Sequence, residues 1–328
     1  MRAVLPLVLL TVGCLMAGSG QSFAQKRVAL VIGNSEYQHA PKLSKPANDA
    51  NAIGTMLEGA GFDVVERRND LTSMDLRRAL RDFSQRVRGA DMAVVFYSGH
   101  AIEVGGRNFL VPIDAKLDRD IDVEDEAISL DRLMNMVEPA RRLRLVILDA
   151  CRDNPFVERM KRNITSRSIG RGLAEVDPIM SDMLVALAAK AGSTASDGEG
   201  NYSPFTTALL QHLAAPGLDL RFAFVRIRDD VIKMTNNLQQ PMLYGALGNA
   251  SISLVPGGAG SGRAVADQHP ADEAEERVKR LVGEMLRGET TDSDRERLLR
   301  LLRQPRGDFW RAEELKRLGI PLPPKDDE

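Results

Sequence analysis

Hydrophobic and polar positions along the chain follow two periodicities, one typical of strands and the other of helices. Short apolar, β-branched runs predict strands at RVALVIG, FDVVE, DMAVVFYSG, LRLVILDA, MLVALAA and SISLV. Apolar residues spaced three and four apart predict helices between them, at NDANAIGTMLEGAG, TSMDLRRALRDFSQRV, LDRLMNMVE, FTTALLQHLAA and DLRFAFVRIRDDVIKMT. A hairpin is predicted around Gly105-Gly106. The repeated strand–helix–strand order predicts an α/β fold with a mostly parallel sheet covered by helices on both faces.

The first 24 residues differ in character from the rest of the chain. A basic residue precedes an apolar run to about Ala17, and small residues end at Ala24, as in a cleaved secretory signal peptide. The run is too short to favour a membrane-spanning helix, and no other segment predicts one. We therefore expect an exported protein, periplasmic or secreted. Lipidation at Cys14 is the less favoured alternative, because Thr11 stands where such sites normally have an aliphatic residue.

Composition divides the remainder of the chain into three parts. These are the α/β domain at 25–255, a Gly-rich flexible linker at 256–271, and a helical appendage at 272–328. Within the domain, residues 152–180 are irregular and basic. The appendage is expected to pack on the main domain or a sister subunit, or to act as a binding module. Contact with a homodimer partner or another protein through these helices therefore stays open.

Composition and charge remove several classes of function. The 328 residues carry a formal net charge of −2, so no basic field suggests nucleic-acid binding. The first strand ends in VIGNSEY, without the glycine-rich loop that cradles phosphates. Cys151 is the only cysteine beyond the signal segment, so a disulfide oxidoreductase would lack its resolving thiol. Histidine and cysteine do not cluster at metal-ligand spacing, and no cofactor is predicted to be required.

Two reactive side chains follow neighbouring predicted strands. His100 follows the third strand and Cys151 the fourth. Ligands meet a parallel sheet at the carboxyl ends of its strands, and consecutive strands are usually neighbours. A nearby imidazolium favours the nucleophilic thiolate, so the two residues are candidates for nucleophilic catalysis. The remaining histidines fit less well, because they lie in a loop, a helix and the linker: His39, His212 and His269.

Two sequence blocks carry a family resemblance. FYSGHAIEVGGRNFLVPID, followed by VILDACRDNPF, resembles the caspase superfamily and more closely its bacterial metacaspase-like (orthocaspase) members. The general caspase signature has a histidine about 50 residues before Q-A-C-[RQG]-G, and Ala150-Cys151-Arg152 matches part of it. The resemblance runs from about Arg27 to Val255 and implies a caspase-like three-layer fold for residues 25–255.

The resemblance implies a cysteine endopeptidase. Cys151 would attack the peptide carbonyl, with His100 as its proton-transfer partner. The backbone N–H groups of Cys151 and Ala101 would stabilise the oxyanion. Ala101 stands where the family usually has glycine, and alanine would resist a positive φ.

The resemblance also implies specificity for Arg or Lys at the cleavage position. Asp49 and Asp149 match acids of the primary specificity pocket, where a guanidinium forms charge-assisted bonds. Asp153 is a weaker candidate, and Ser98 is expected to shape the histidine loop. Two alternatives stay open from the residues themselves. Asp49 is also an N-cap candidate, and Asp149 a turn residue or a partner of Arg152.

Three further expectations follow from the family. Basic specificity together with the basic segment 152–180 suggests self-cleavage there. Calcium dependence occurs among metacaspases, and residues 114–126 are rich in carboxylates, but they lack EF-hand spacing and also suit a solvated surface. The alternative function is an inactive caspase-like scaffold that binds basic peptides or protein partners, which Ala101 supports.

Overall fold

The structure, a computed structural model, describes several stretches of the chain. These are residues 25–151, 155–156, 160–161, 169–170, 173–176, 181–190 and 200–257. The predicted signal peptide at 1–24, the appendage, nearly all of the linker and much of the basic segment 152–180 lie outside them. The expectations for those segments therefore stay predictions.

Strands and helices alternate through the described residues. The strands are β1 (Arg27–Gly33), β2 (Val64–Asn69), β3 (Met92–Val104), β4 (Arg107–Leu110), β5 (Ile128–Ser129), β6 (Leu143–Cys151), β7 (Ile169–Gly170), β8 (Met183–Leu187) and β9 (Met242–Ala246). The helices are α1 (Pro46–Gly59), α2 (Ser73–Val87), α3 (Val123–Glu126), α4 (Leu130–Val137), α5 (Pro204–Leu213) and α6 (Leu220–Met234). In this part of the chain, no helix combines the length and apolar composition needed to cross a bilayer.

Local capping explains where several helices begin. The hydroxyl oxygens of Thr72, Ser129 and Ser203 accept bonds from backbone N–H groups in the first turns of α2, α4 and α5. Pro204 then occupies the first turn of α5, where its missing N–H removes no helical bond. Each of these helices therefore begins at a residue type that favours the N-cap position, with Thr72 rather than the neighbouring Ser73 capping α2.

The main sheet is mostly parallel. Its order is β2-β1-β3-β6-β8-β9, and among these neighbours only β8 and β9 pair antiparallel. One face of the sheet buries a core against α2 and α4, and the opposite face buries another against α1, α5 and α6. Alternate residues of each central strand contribute to the two cores, which explains the nearly continuous apolar runs. The α/β fold class predicted from the sequence is confirmed.

The last strand differs from the prediction. Residues 251–255, SISLV, do not form a strand, and β9 lies earlier, at Met242–Ala246. Ile252 and Leu254 instead bury their side chains beside α6. The carbonyl of Ile252 accepts from the N–H of Leu220, and its N–H donates to the carboxylate of Asp219, the N-cap of that helix. Burial of every second residue thus produced the strand-like alternation without any sheet pairing.

The β3 strand also runs further than predicted. It continues to Val104, turns at Gly105-Gly106 and returns as β4, which confirms the predicted hairpin. His100 therefore lies within β3 rather than after it, and Cys151 is the last residue of β6 rather than the first beyond it.

Candidate active site

The register between β3 and β6 brings the predicted site residues together. His100 pairs with Cys151, and Ser98 pairs with Asp149. Residues two apart in a strand lie on the same face, so Ser98 and His100 share one face of the sheet. That is the face covered by α1 and α5, because Ser98 continues the alternation of the strand residues buried there. The backbone of Cys151 thus stands directly across from the imidazole-bearing residue.

The His100 side chain is buried, and one hydrogen bond identifies a ring nitrogen that carries a proton. Its Nε2 atom lies 2.9 Å from the carbonyl oxygen of Pro41. A carbonyl only accepts hydrogen bonds, so this contact requires the proton on Nε2. In the neutral ring, Nδ1 then carries the lone pair and is the basic nitrogen. The geometry therefore suits a general base that acts through Nδ1.

The backbone at Ala101 removes the concern raised by its side chain. Ala101 lies in β3, opposite Leu110, and is not among the residues with positive φ. Alanine therefore fits this position without strain, and the expected conflict with a positive φ is wrong. Along β3 the backbone N–H groups alternate in direction, so the N–H of Ala101 points to the opposite side of the strand from the N–H of His100. Its role in an oxyanion hole stays a prediction.

Asp49 is a buried residue in the first turn of α1. The N-cap of α1 is Lys45, which makes no side-chain cap bond, so the alternative that Asp49 is an N-cap is wrong. Its carboxylate instead forms hydrogen bonds with residues outside the helix. Asp49 Oδ2 accepts from Ser98 Oγ at 3.3 Å, and Oδ1 accepts from the backbone N–H of Ser203 at 3.0 Å.

Asp149 is also buried and lies within β6, so the alternative that it is a turn residue is wrong. Its Oδ2 atom accepts from Thr206 Oγ1 at 2.8 Å and from Ser203 Oγ through a shorter bond. Ser203 therefore touches both carboxylates, Asp49 with its N–H and Asp149 with its hydroxyl. The other alternative partner of Asp149, Arg152, lies outside the described residues.

The charge of Asp149 influences the protonation of Asp49. Burial in the first place, and the negative charge of Asp149 in the second, raise the pKa of Asp49 to about 7. The hydrogen bonds from Ser203 and Ser98 oppose this shift only partly. A cation that binds between the two carboxylates would lower the free energy of this site, because its charge offsets the cost of burying them and reduces their mutual repulsion.

Some functional candidates could not be predicted from the sequence. Ser203 and Thr206 were recognisable only as residues at a helix start, since a capping serine looks the same with or without a second partner. Tyr37 and Tyr97, which contact His100, carry no signal apart from being aromatic residues near predicted strand ends.

The other sequence candidates lie elsewhere. His39 is half-buried in the loop after β1, and His212 on α5 pairs with Asp230 at 2.6 Å. Neither is among the residues that contact the pair of carboxylates. Asp153 and His269 lie outside the described residues.

Four carboxylates of the acidic segment 114–126 have partners within the protein. Asp114 accepts from the backbone of Ser73, and Glu126 accepts from two backbone N–H groups of its own segment. Asp122 and Glu124 form ion pairs with arginines. Across the ranges that the structure describes, His, Cys, Asp and Glu side chains form no group of three that could hold a metal ion.

Comparisons with known proteins agree with this architecture. The sequence profile of the family described as "Caspase domain" matches residues 26–249, more than half of the chain. Mucosa-associated lymphoid tissue lymphoma translocation protein 1 of Homo sapiens is 33% identical over 132 residues, which are 40% of this chain and 16% of that protein. Its Mus musculus homologue is 32% identical over 134 residues, which are 41% and 16% of the two chains. Caspase-1 of Equus caballus is 30% identical over 94 residues, which are 27% of this chain and 23% of that protein.

The aligned segments thus span less than a quarter of each of these relatives. The profile match, by contrast, covers nearly all of the α/β domain, from the start of β1 to just beyond β9. The resemblance to the caspase superfamily inferred from the two sequence blocks is therefore confirmed: the chain belongs to the caspase-domain family of cysteine peptidases.

Proposed function

We propose that this protein is a metacaspase-like cysteine endopeptidase that cleaves peptide bonds after Arg or Lys. One observation carries the proposal. The β3–β6 register sets His100 opposite Cys151, and two residues earlier it sets Ser98 opposite Asp149, beside the buried carboxylate of Asp49. A nucleophile–base pair and an acidic pocket thus share one edge of the sheet.

In the proposed reaction, the thiolate of Cys151 attacks the substrate carbonyl carbon while protonated His100 stands beside it. The carbonyl π electrons move to oxygen, and the N–H groups of Ala101 and Cys151 stabilise the oxyanion. When the tetrahedral intermediate collapses, the C–N bond breaks and His100 protonates the departing amine. Water then attacks the acyl carbon while the neutral imidazole accepts its proton, and the C–S bond breaks, which releases the acid product and restores the thiolate–imidazolium pair.

The substrate preference follows from charge and burial. Asp49 and Asp149 are 1% and 7% exposed, and the hydrogen bonds described above fix their orientation. A guanidinium or ammonium group between them forms charge-assisted hydrogen bonds in a place with little water. A carboxylate side chain would add a third negative charge there, so cleavage after Asp is disfavoured.

Two further parts of the proposal concern location and metal. The N-terminal 24 residues support export, to a periplasm or out of the cell. We propose that activity does not require calcium, because four carboxylates of residues 114–126 already accept backbone bonds or pair with arginines.

Matched fluorogenic peptides that differ only in a final Arg, Lys or Asp test the function directly. The protein should release the fluorophore after Arg and Lys, with a chelator present, and Cys151→Ala should lower the rate by several orders of magnitude. Circular dichroism of the variant would verify that it is folded. Absence of turnover with every peptide, with and without added calcium, would favour the alternative of an inactive scaffold that binds basic peptides. The conformation of Ala101 no longer supports that alternative.

A further inference from the structure

The pairing of β1 with β3 ends two residues before His100. β1 ends at Gly33, which pairs with Ser98, and the next residue, Asn34, still donates its N–H to the carbonyl of Ser98 at 2.9 Å. Backbone groups two residues apart in a strand point to the same side. The N–H and C=O of His100 therefore point to the side where β1 has ended, and their partners must come from elsewhere.

Two buried tyrosine hydroxyls supply those partners. The N–H of His100 donates to Tyr37 Oη at 2.7 Å, and Tyr97 Oη donates to the carbonyl oxygen of His100 at 2.7 Å. The backbone N–H of Val111 also donates to His100 O at 3.1 Å. The carbonyl of Val111, however, lies 3.3 Å from Tyr37 Oη. The phenol of Tyr37 is thus inserted between His100 and Val111, where an antiparallel ladder would have the reciprocal direct bond.

Counting protons shows that the two hydroxyls act together. Each phenol has one proton, and the oxygens of Tyr37 and Tyr97 are 3.2 Å apart. Tyr97 donates its proton to His100 at the shortest of its distances, and the hydroxyl of Tyr37 lies within hydrogen-bond distance of both Tyr97 Oη and the carbonyl of Val111. Removal of either hydroxyl therefore changes the bonding of the other.

Packing reinforces this arrangement. The ring of Tyr37 lies 4.4 Å from the imidazole, centroid to centroid, at a 54° tilt. A side chain on Gly99 would place its Cβ 2.6 Å from the hydroxyl of Tyr37 and 2.8 Å from that of Tyr97. The residue before His100 is therefore glycine because the hydroxyl pair occupies the space of its side chain.

We propose that the hydroxyl pair of Tyr37 and Tyr97 positions His100 for catalysis, with Tyr37 fixing both the main chain and the ring plane of the histidine. The inference rests on the proposed peptidase function, since it assigns these residues through His100. Without the hydroxyl of Tyr37, the N–H of His100 bonds directly to the carbonyl of Val111, and the imidazole shifts with the strand. A shift of this kind slows the chemical step more than it weakens substrate binding.

The test compares Tyr37→Phe, Tyr97→Phe and the double variant with Tyr244→Phe, which removes a phenol hydroxyl from β9 at the far edge of the sheet. We expect each single variant at the His100 site to lower kcat by about 10- to 100-fold, with KM nearly unchanged. Since the two hydroxyls act as a unit, the double variant should lose much less than the product of the single losses. The control variant should retain the wild-type kcat.

A second measurement does not depend on turnover. The rate at which iodoacetamide alkylates Cys151 is followed against pH, with the modified peptide identified by mass spectrometry. A thiol paired with imidazolium reacts with an apparent pKa below the usual value of about 8.5, and Tyr37→Phe should raise it. A role confined to stability would leave this profile unchanged at temperatures where all variants are folded.

The outcomes separate the two proposals. Wild-type Cys151 with an ordinary alkylation profile and no peptide turnover would overturn the peptidase function and this inference with it. Turnover and a depressed apparent pKa in the wild type, both unchanged in Tyr37→Phe, would overturn the positioning role alone. Independent, multiplicative losses in the double variant would contradict the coupling between the hydroxyls.

Discussion

At the scale of single residues, Ser203 links helix capping to the acidic pocket. Its hydroxyl accepts from the N–H of Thr206, which caps α5, and donates its only proton to Asp149. Its own N–H binds Asp49. The start of α5 is therefore fixed against both carboxylates at once, and neither acid can turn away without breaking the cap. A pocket built this way is rigid before a substrate arrives, which favours discrimination by charge.

The charge of the pocket predicts a specificity that depends on pH. Two otherwise identical peptides are compared, one ending in Arg and the other in citrulline, its neutral analogue of the same shape. The ratio of their kcat/KM values should rise with pH through about 7, because deprotonation of Asp49 adds a negative charge beside the guanidinium. Titration of the catalytic pair affects both peptides equally and cancels in the ratio. The positive charge of Lys45 opposes this shift of the Asp49 pKa only partly.

Substitution should remove that preference. Asp49→Asn and Asp149→Asn should each lower the Arg-to-citrulline ratio by about 30-fold or more, the cost of losing one partner of a buried charge pair. Asp49→Asn should also abolish the rise near pH 7. Asp82→Asn, which changes an exposed residue on α2, is the matched control. An unchanged ratio in both pocket variants would place the specificity pocket elsewhere.

At this scale the sequence predicted the positions that follow from the family resemblance and missed those that depend on tertiary contact. His100, Cys151 and the pocket acids stand in recognisable blocks, and the register brings them together as expected. Tyr37 and Ser203 contact residues about 60 and 150 positions away in the chain. No local pattern carries such information, because a buried phenol or a capping serine is physically consistent with many surroundings.

At the scale of elements, the described part of the segment after Cys151 is anchored to the domain by backbone bonds at Lys161. Lys161 pairs with Arg119, donating its N–H to Asp118 O at 2.8 Å and accepting from Asp120 N at 3.1 Å. The neighbouring Met160 is 6% exposed and belongs to a small core that also contains Phe156. Cleavage requires a substrate segment to extend through the active site, so a cut after Lys161 would first have to break both backbone bonds.

The anchored segment predicts where self-cleavage occurs. Active protein should be cut after an arginine of 152–180 that lies away from this pairing, and not after Lys161 or Arg162, although the proposed pocket accepts both Lys and Arg. Mass spectrometry of the products after prolonged incubation would identify the new termini. Lys161→Gln should leave the products unchanged, whereas replacing the arginines of this segment with Gln should prevent cutting. A product that ends at Lys161 would contradict this prediction, and Cys151→Ala would exclude cutting by a contaminating protease.

Element boundaries were predictable where the local pattern and the tertiary contacts agree. The capped helices α2, α4 and α5 begin where their sequence indicates. The segment 251–255 alternates like a strand because it covers the start of α6, whereas β9 is short and contains Gly245 at φ 97°. An alternating pattern of apolar residues indicates which side chains are buried. It does not indicate whether the segment pairs with a strand or packs against a helix.

At the scale of the whole molecule, the pocket should reduce the stability of the free protein. In the folded state the pKa of Asp49 is raised from 3.8 to about 7, mainly by burial. Between these two values the folded protein holds a proton that the unfolded chain has released. The free energy of unfolding therefore falls as pH rises through this window, and the full penalty remains above it.

Asp49→Asn tests this cost by removing the titrating group while keeping a side chain of the same shape. Relative to the wild type, the variant should gain stability as pH rises from about 5 to 8, reaching on the order of 1–3 kcal/mol. Urea unfolding at several pH values measures the difference, and the exposed Asp82→Asn variant should show no such trend. A gain in the free energy of unfolding that does not change with pH, or a loss at pH 8, would mean that the Asp49 carboxylate does not destabilise the folded protein. The same variant should lose the preference for Arg, because the repulsion that destabilises the empty pocket is what a bound guanidinium relieves.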